Sequence, residues 1–164
     1  MMQEDALETA AAVLDRCRRR GWRLGMAESC TGGLIAGALT AIAGSSDVVE
    51  GGFVTYSNAA KTALLGVPPA LLDRVGAVSA EVAAAMAEGV LARLPATDLT
   101  ISVTGIAGPG GATPGKPVGL VYFGVARRGG AVDTHRAIFG GDRDTIRRAA
   151  VLRALALLSA AAAG

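Results

Sequence analysis

With 164 residues, 51% of them hydrophobic, and a formal charge of +2, the chain has the size of one domain, 1–164, and the apolar content to build a core. No run approaches the ~18–20 apolar residues that span a bilayer, and the charge is too small to argue for a nucleic-acid surface. Two cysteines, Cys17 and Cys30, and one histidine, His135, form neither a disulfide framework nor a Cys/His metal cluster, so no metal or cofactor is expected. Met1 to Asp5 is acidic where a secretory signal is basic, which makes a cytoplasmic address the expectation.

Glu4 to about Arg20 reads as an alanine-rich helix ended by Gly21, its clustered Arg16, Arg18, Arg19 and Arg20 suiting the negative end of the helix dipole. Trp22–Ala27 reads as a strand, followed by the turn Glu28–Gly33 and a helix over Leu34–Ile42. Gly51–Tyr56 is a strand; Ser57 caps a helix to Leu65, with Gly66 just past its end. Beyond Pro68-Pro69 a short helical turn runs to Val75, and Ser79 caps a helix over Ala80–Leu94. Leu99–Thr104 is β-rich. Gly105–Gly119 is a 15-residue loop holding six glycines and three prolines, too long for a mere connector in a compact domain. Leu120–Arg127 and Ala131–Phe139 form a hairpin across Gly129-Gly130, and Asp142 caps a last helix toward Ala163. Strands interleaved with helices, plus one hairpin, predict an α/β fold with a mixed sheet of about five strands covered on both faces.

Chemistry concentrates in three places. Ala27-Glu28-Ser29-Cys30-Thr31-Gly32-Gly33 leaves a strand and opens a helix, which puts Ser29 where open α/β sheets bind ligands. The amides of Thr31, Gly32 and Gly33 then suit an oxyanion or a phosphate; the same pattern also suits a plain helix cap. Cys30 is a rival nucleophile with no histidine beside it. His135, the one imidazole available to a serine triad, sits mid-strand, which favours a structural role.

The second place is Tyr56, Asn58 and Lys61. The chain has fourteen arginines against two lysines, Lys61 and Lys116, so a retained lysine points to a task arginine cannot do, such as shedding a proton. A lysine base needs its pKa of ~10.4 lowered by roughly 2–3 units. The apolar neighbours Ala59, Ala60, Ala63 and Leu64 push that way, and a tyrosine can relay the proton from serine. An ordinary surface lysine is the alternative. Asn58 shares a helix face with Lys61.

The third place is the glycine loop. Gly110–Lys116 has P-loop spacing, but Pro117 stands where Ser or Thr ligates magnesium, and a strand follows where a helix belongs. Gly105-Ile106-Ala107-Gly108-Pro109-Gly110 lacks the dinucleotide spacing. A loop rich in backbone donors remains, suited to phosphate or ribose. Arg143, at the start of the last helix, is available either for an anion or for a local salt bridge.

These segments together resemble the CinA C-terminal domain family in its stand-alone form. The resemblance rests on Ala27–Gly33 (AESCTGG), Ile42–Val67 with its YSNAAK, Gly76–Ala87, Ser102–Gly111 (SVTGIAGPGG), Lys116–Gly124 and Gly141–Arg148 (GDRDTIRR), and covers nearly the whole chain. It implies a three-layer α/β/α sandwich and deamidation of nicotinamide mononucleotide to nicotinic acid mononucleotide and ammonia. It implies Ser29 as nucleophile, Tyr56 and Lys61 as assisting residues, and a nucleotide site lined by Gly105, Ile106, Ala107, Gly108, Pro109 and Arg143, with Thr104 at its start. The pyrophosphatase activity of larger two-domain relatives is not carried over. A homo-oligomer, most simply a dimer, is the expected assembly, with a small nucleotide as the partner and neither membrane nor nucleic acid. A non-catalytic nucleotide-binding protein, or an interaction protein in competence or DNA repair, is the alternative.

Overall fold

The computed structural model describes residues 3–164. The first helix, α1 (Glu4–Arg20), buries Ala6, Ala10, Val13, Leu14 and Cys17 along one stripe at helical spacing. Glu4 and Asp5 lie in its first turn and Arg18, Arg19 and Arg20 in its last, both favourable to the dipole. It ends where Gly21 turns left-handed. Trp22 precedes the first strand rather than opening it: β1 runs Leu24–Glu28, and the Arg20 and Arg127 guanidiniums cover the indole at 4.4 and 4.9 Å.

After α2 (Leu34–Thr40) come β2 (Val49–Val54), α3 (Asn58–Leu65), α4 (Pro69–Val75), α5 (Ala80–Arg93) and β3 (Leu99–Gly105). The antiparallel pair β4 (Leu120–Arg127) and β5 (Val132–Ile138) leads into α6 (Arg143–Ala163). Three caps fall where the sequence puts them: Ser57 accepts from the Ala60 amide, Ser79 from Val82 and Asp142 from Thr145. One boundary differs in a way that matters. β2 stops at Val54, so Tyr56 stands in the loop past the strand and not at its end.

The sheet has the order β2-β1-β3-β4-β5, parallel at β2-β1-β3 and antiparallel beyond. Helices cover both faces, as a mixed sheet in a three-layer α/β/α sandwich requires. β1 and β3 are buried throughout because they are central. Along β3 the residues alternate: Leu99, Ile101 and Val103 join the core under α1 and α6. Thr100, Ser102 and Thr104 face the other layer, where their hydroxyls donate to the carbonyls of Ala87, Ala83 and Ala77. The hydroxyl at every second position of the strand is thereby satisfied by a backbone carbonyl of the facing layer.

This order places the C-terminal ends of β1 and β3 side by side, with Ser29 immediately after β1 and the glycine loop immediately after β3. The amide of Ser29 donates to the Val103 carbonyl, continuing the ladder one residue past the strand. The amide of Thr55 donates to the Glu28 carbonyl on the other side.

Candidate active site

Lys61 is only 1% exposed and is among the largest fully buried side chains of the described residues. Its Nζ lies 3.0 Å from Ser29 Oγ and 2.8 Å from the Thr55 carbonyl. An amine enclosed this way loses hydration of its charged form, and burial lowers its pKa from the ordinary 10.5. The surface-lysine alternative is thus removed. Sequence alone could not settle it, because α3 is short and alanine-rich and only the docking of α3 on α5 decides which of its faces is closed.

Tyr56 lines the Ser29 cavity with its hydroxyl held by Arg143. Its side chain is 59% exposed, and its hydroxyl accepts from Arg143 Nη2 at 2.7 Å, while Lys61 reaches Ser29 directly. The same Arg143 donates through Nη1 to the Gly108 carbonyl at 2.8 Å. Ser29, Cys30, Tyr56, Gly105, Ile106, Ala107, Gly108 and Arg143, with Gly110 and Gly111, enclose a cavity of about 220 Å³. One charged side chain, Arg143, lines it, an arrangement that attracts an anionic group.

Several expected residues lie outside this cavity. Asn58, at the start of α3, lines a different depression with Ala59, Thr62 and Pro69. Thr104 is buried with its hydroxyl committed to the Ala77 carbonyl. Pro109 is exposed at the rim without lining the cavity. Thr31, Gly32 and Gly33 form the turn behind Ser29: Thr31 is buried, and the Gly32 amide donates to the Ser29 carbonyl at 3.0 Å. The glycine loop is held in place: Ile106 and Gly119 exchange bonds with Leu120 and Ile106, and Lys116 Nζ donates to the Val75 carbonyl at 2.6 Å.

Two residues without an expected role shape the turn that carries Ser29. Glu28, 1% exposed, accepts from the amides of Ile35 and Ala36 at 2.9 and 3.0 Å, so its carboxylate caps α2 from within. Arg147, on α6, donates to the carbonyls of Cys30 and Thr31. Glu28 had a readable signal in its place next to Ser29; Arg147 had none, since it is one arginine among fourteen. Burial pushes the Cys30 thiol up to about 11, which leaves it protonated at neutral pH. His135 lies on β5, three strand spacings from β1, or about 14 Å.

The family model for the CinA C-terminal domain matches residues 6–162. A curated relative from Enterobacter agglomerans, named nicotinamide-nucleotide amidohydrolase PncC, is 49% identical over 154 residues, covering 94% of this chain and 91% of its own length. A CinA-like protein from Chlorobium phaeovibrioides is 60% identical over 116 residues, which are 71% of this chain and 27% of the relative. The chain likewise spans 36% of the CinA-like proteins of Geobacter sulfurreducens and Myxococcus xanthus, about a third of their length. Among solved structures, the competence/damage inducible protein CihA from Agrobacterium tumefaciens superposes with a TM-score of 0.95 at 46% identity, covering 100% of this chain and 99% of that one. Sequence and fold agree over nearly the whole length, and the chain belongs to the CinA C-terminal domain family.

Proposed function

We propose that this chain is an amidohydrolase that deamidates nicotinamide mononucleotide to nicotinic acid mononucleotide and ammonia. The name of the Enterobacter relative supports the substrate, and the 3.0 Å contact between Lys61 Nζ and Ser29 Oγ carries the chemistry.

In this reading Ser29 Oγ attacks the carboxamide carbon while neutral Lys61 takes its proton directly. Lys61 then hands that proton to the departing nitrogen, which leaves as ammonia. Water hydrolyses the acyl-enzyme by the same route and restores Ser29. Burial of Lys61 suits it to the base role, because a lysine of ordinary pKa is charged and has no lone pair to offer at neutral pH. Arg143, at the cavity rim, receives the phosphate, and the Tyr56 hydroxyl bound to it helps to orient that arginine. The glycine loop supplies the wall against which the nucleotide lies.

Ammonia release from nicotinamide mononucleotide by wild type and by Ser29→Ala tests the reading. Release by wild type alone is expected. Release by both variants removes Ser29 as nucleophile, and release by neither removes the substrate.

A further inference from the structure

The turn that carries Ser29 is gripped from behind. Arg147 Nε donates to the Cys30 carbonyl at 3.0 Å and its Nη2 to the Thr31 carbonyl at 3.3 Å. The Cys30 carbonyl shares a peptide unit with the Thr31 amide. In a trans peptide the C=O and N–H point in opposite directions. Holding that carbonyl on Arg147 therefore aims the Thr31 N–H out of the opposite side of the turn. The turn is fixed further by its own amides: Gly32 donates to the Ser29 carbonyl, Leu34 to the Thr31 carbonyl, and Ile35 and Ala36 to the Glu28 carboxylate.

Arg147 does this without access to substrate. It borders a separate depression of about 170 Å³ beside Gln3, Ala6, Leu34 and Val151, and it is absent from the cavity that holds Ser29. The approach is close: a Cβ on Gly32, whose φ is +60°, would lie 3.3 Å from Arg147 Nη2. A planar guanidinium reaches both carbonyls at once with fixed geometry, which a lysine ammonium does not.

We propose that Arg147 is a positioning residue for the reaction at Ser29, holding the Cys30 and Thr31 carbonyls so that the turn keeps Ser29 Oγ in place against Lys61. This inference rests on the amidohydrolase reading above. Arg147 acts on the transition state through the backbone, so its loss lowers kcat and leaves KM and the pH profile set by Lys61 unchanged.

The test uses wild type, Arg147→Ala and Arg147→Lys. Ammonia release from nicotinamide mononucleotide is measured beside acetylation of Ser29 by p-nitrophenyl acetate. In the second reaction Ser29 Oγ bonds the acetyl carbon, p-nitrophenolate leaves, and the serine proton passes to Lys61. Misplacement of a reacting group by about 1 Å predicts kcat for Arg147→Ala lower by about 10²-fold. Arg147→Lys, able to hold one carbonyl, falls between, and added guanidinium ion at non-denaturing concentration restores part of the Arg147→Ala rate. A variant with a lower Tm but wild-type kcat overturns the proposal, and so does a rise in KM alone. Should Arg147→Ala fail to fold, Arg147→Lys carries the same comparison. Wild type that is acetylated at Ser29 yet silent on the mononucleotide refutes the substrate reading, while the acetylation rates still decide the role of Arg147. Wild type that resists acetylation at Ser29 refutes the nucleophile and this inference with it.

Discussion

Replacing Lys61 by methionine keeps the volume of a fully buried side chain and removes only its amine. General-base assistance is worth about 10²–10⁴-fold, or about 2.7–5.4 kcal/mol of barrier at ~1.36 kcal/mol per decade. Lys61→Met is expected to lose that much kcat. Lys61→Arg is expected to lose nearly as much, because a guanidinium does not give up its proton at working pH. The pH profile gives the sharper reading. Burial lowers the Lys61 pKa below 10.5, so wild-type kcat/KM should rise with pH toward that depressed value and then level off. The same shift sets a slope in stability. Between the depressed folded pKa and the unfolded one, the unfolded chain binds the proton that the folded amine refuses. Stability therefore rises with pH across that window and is lost as pH falls through it. Lys61→Met has no proton to exchange there and should lack that slope in urea unfolding measured at several pH values. Against the slope, methionine leaves the Ser29 hydroxyl and the Thr55 carbonyl without their partner, at about 1–3 kcal/mol for each buried group left unsatisfied. An active Lys61→Arg enzyme, or a Lys61→Met enzyme with the wild-type pH limb, would refute the base assignment.

Three other outcomes follow from the geometry. Tyr56→Phe removes a hydroxyl bonded only to Arg143, so kinetics should change by no more than about tenfold and chiefly in KM; a loss in kcat as large as that of Lys61→Met would restore the relay. Glu28→Gln leaves one carbonyl oxygen to meet two amides and turns an NH2 toward the other, which should cost about 1–3 kcal/mol, read as a lower urea midpoint at unchanged slope. Gly89→Ala gains about 1 kcal/mol of helix propensity in isolation, yet its Cβ would sit 2.3 Å from the Leu65 carbonyl. The overpacking, about 1–3 kcal/mol, should win, lowering Tm and displacing α3 with Lys61; an unchanged Tm would refute this.

Local signals fix much of this protein, and they do so because they act within a few residues. Gly21 and Gly66 stop helices by turning left-handed, Ser57, Ser79 and Asp142 start them by accepting an amide, and the apolar runs of β1 and β3 mark central strands. The motif around Ser29 placed that serine at a strand end for the same reason. Expectations that needed long-range partners fared differently. Thr104 stands at the expected strand end, but alternation along β3 turns its hydroxyl to the Ala77 carbonyl in the segment before α5, and Asn58 shares a helix with Lys61 yet opens onto another depression. Tyr56 lies within six residues of Lys61, but β2 ends early enough to leave it at the rim with Arg143, 87 residues away. The sequence by itself determined most of the elements and their caps and brought Ser29 and Lys61 forward as candidates, because backbone geometry and side-chain chemistry are local. Tertiary structure alone decided that Lys61 is buried against Ser29 and that Arg147 grips the turn from behind. Desolvation and a bond across 117 residues exist only once the layers have closed.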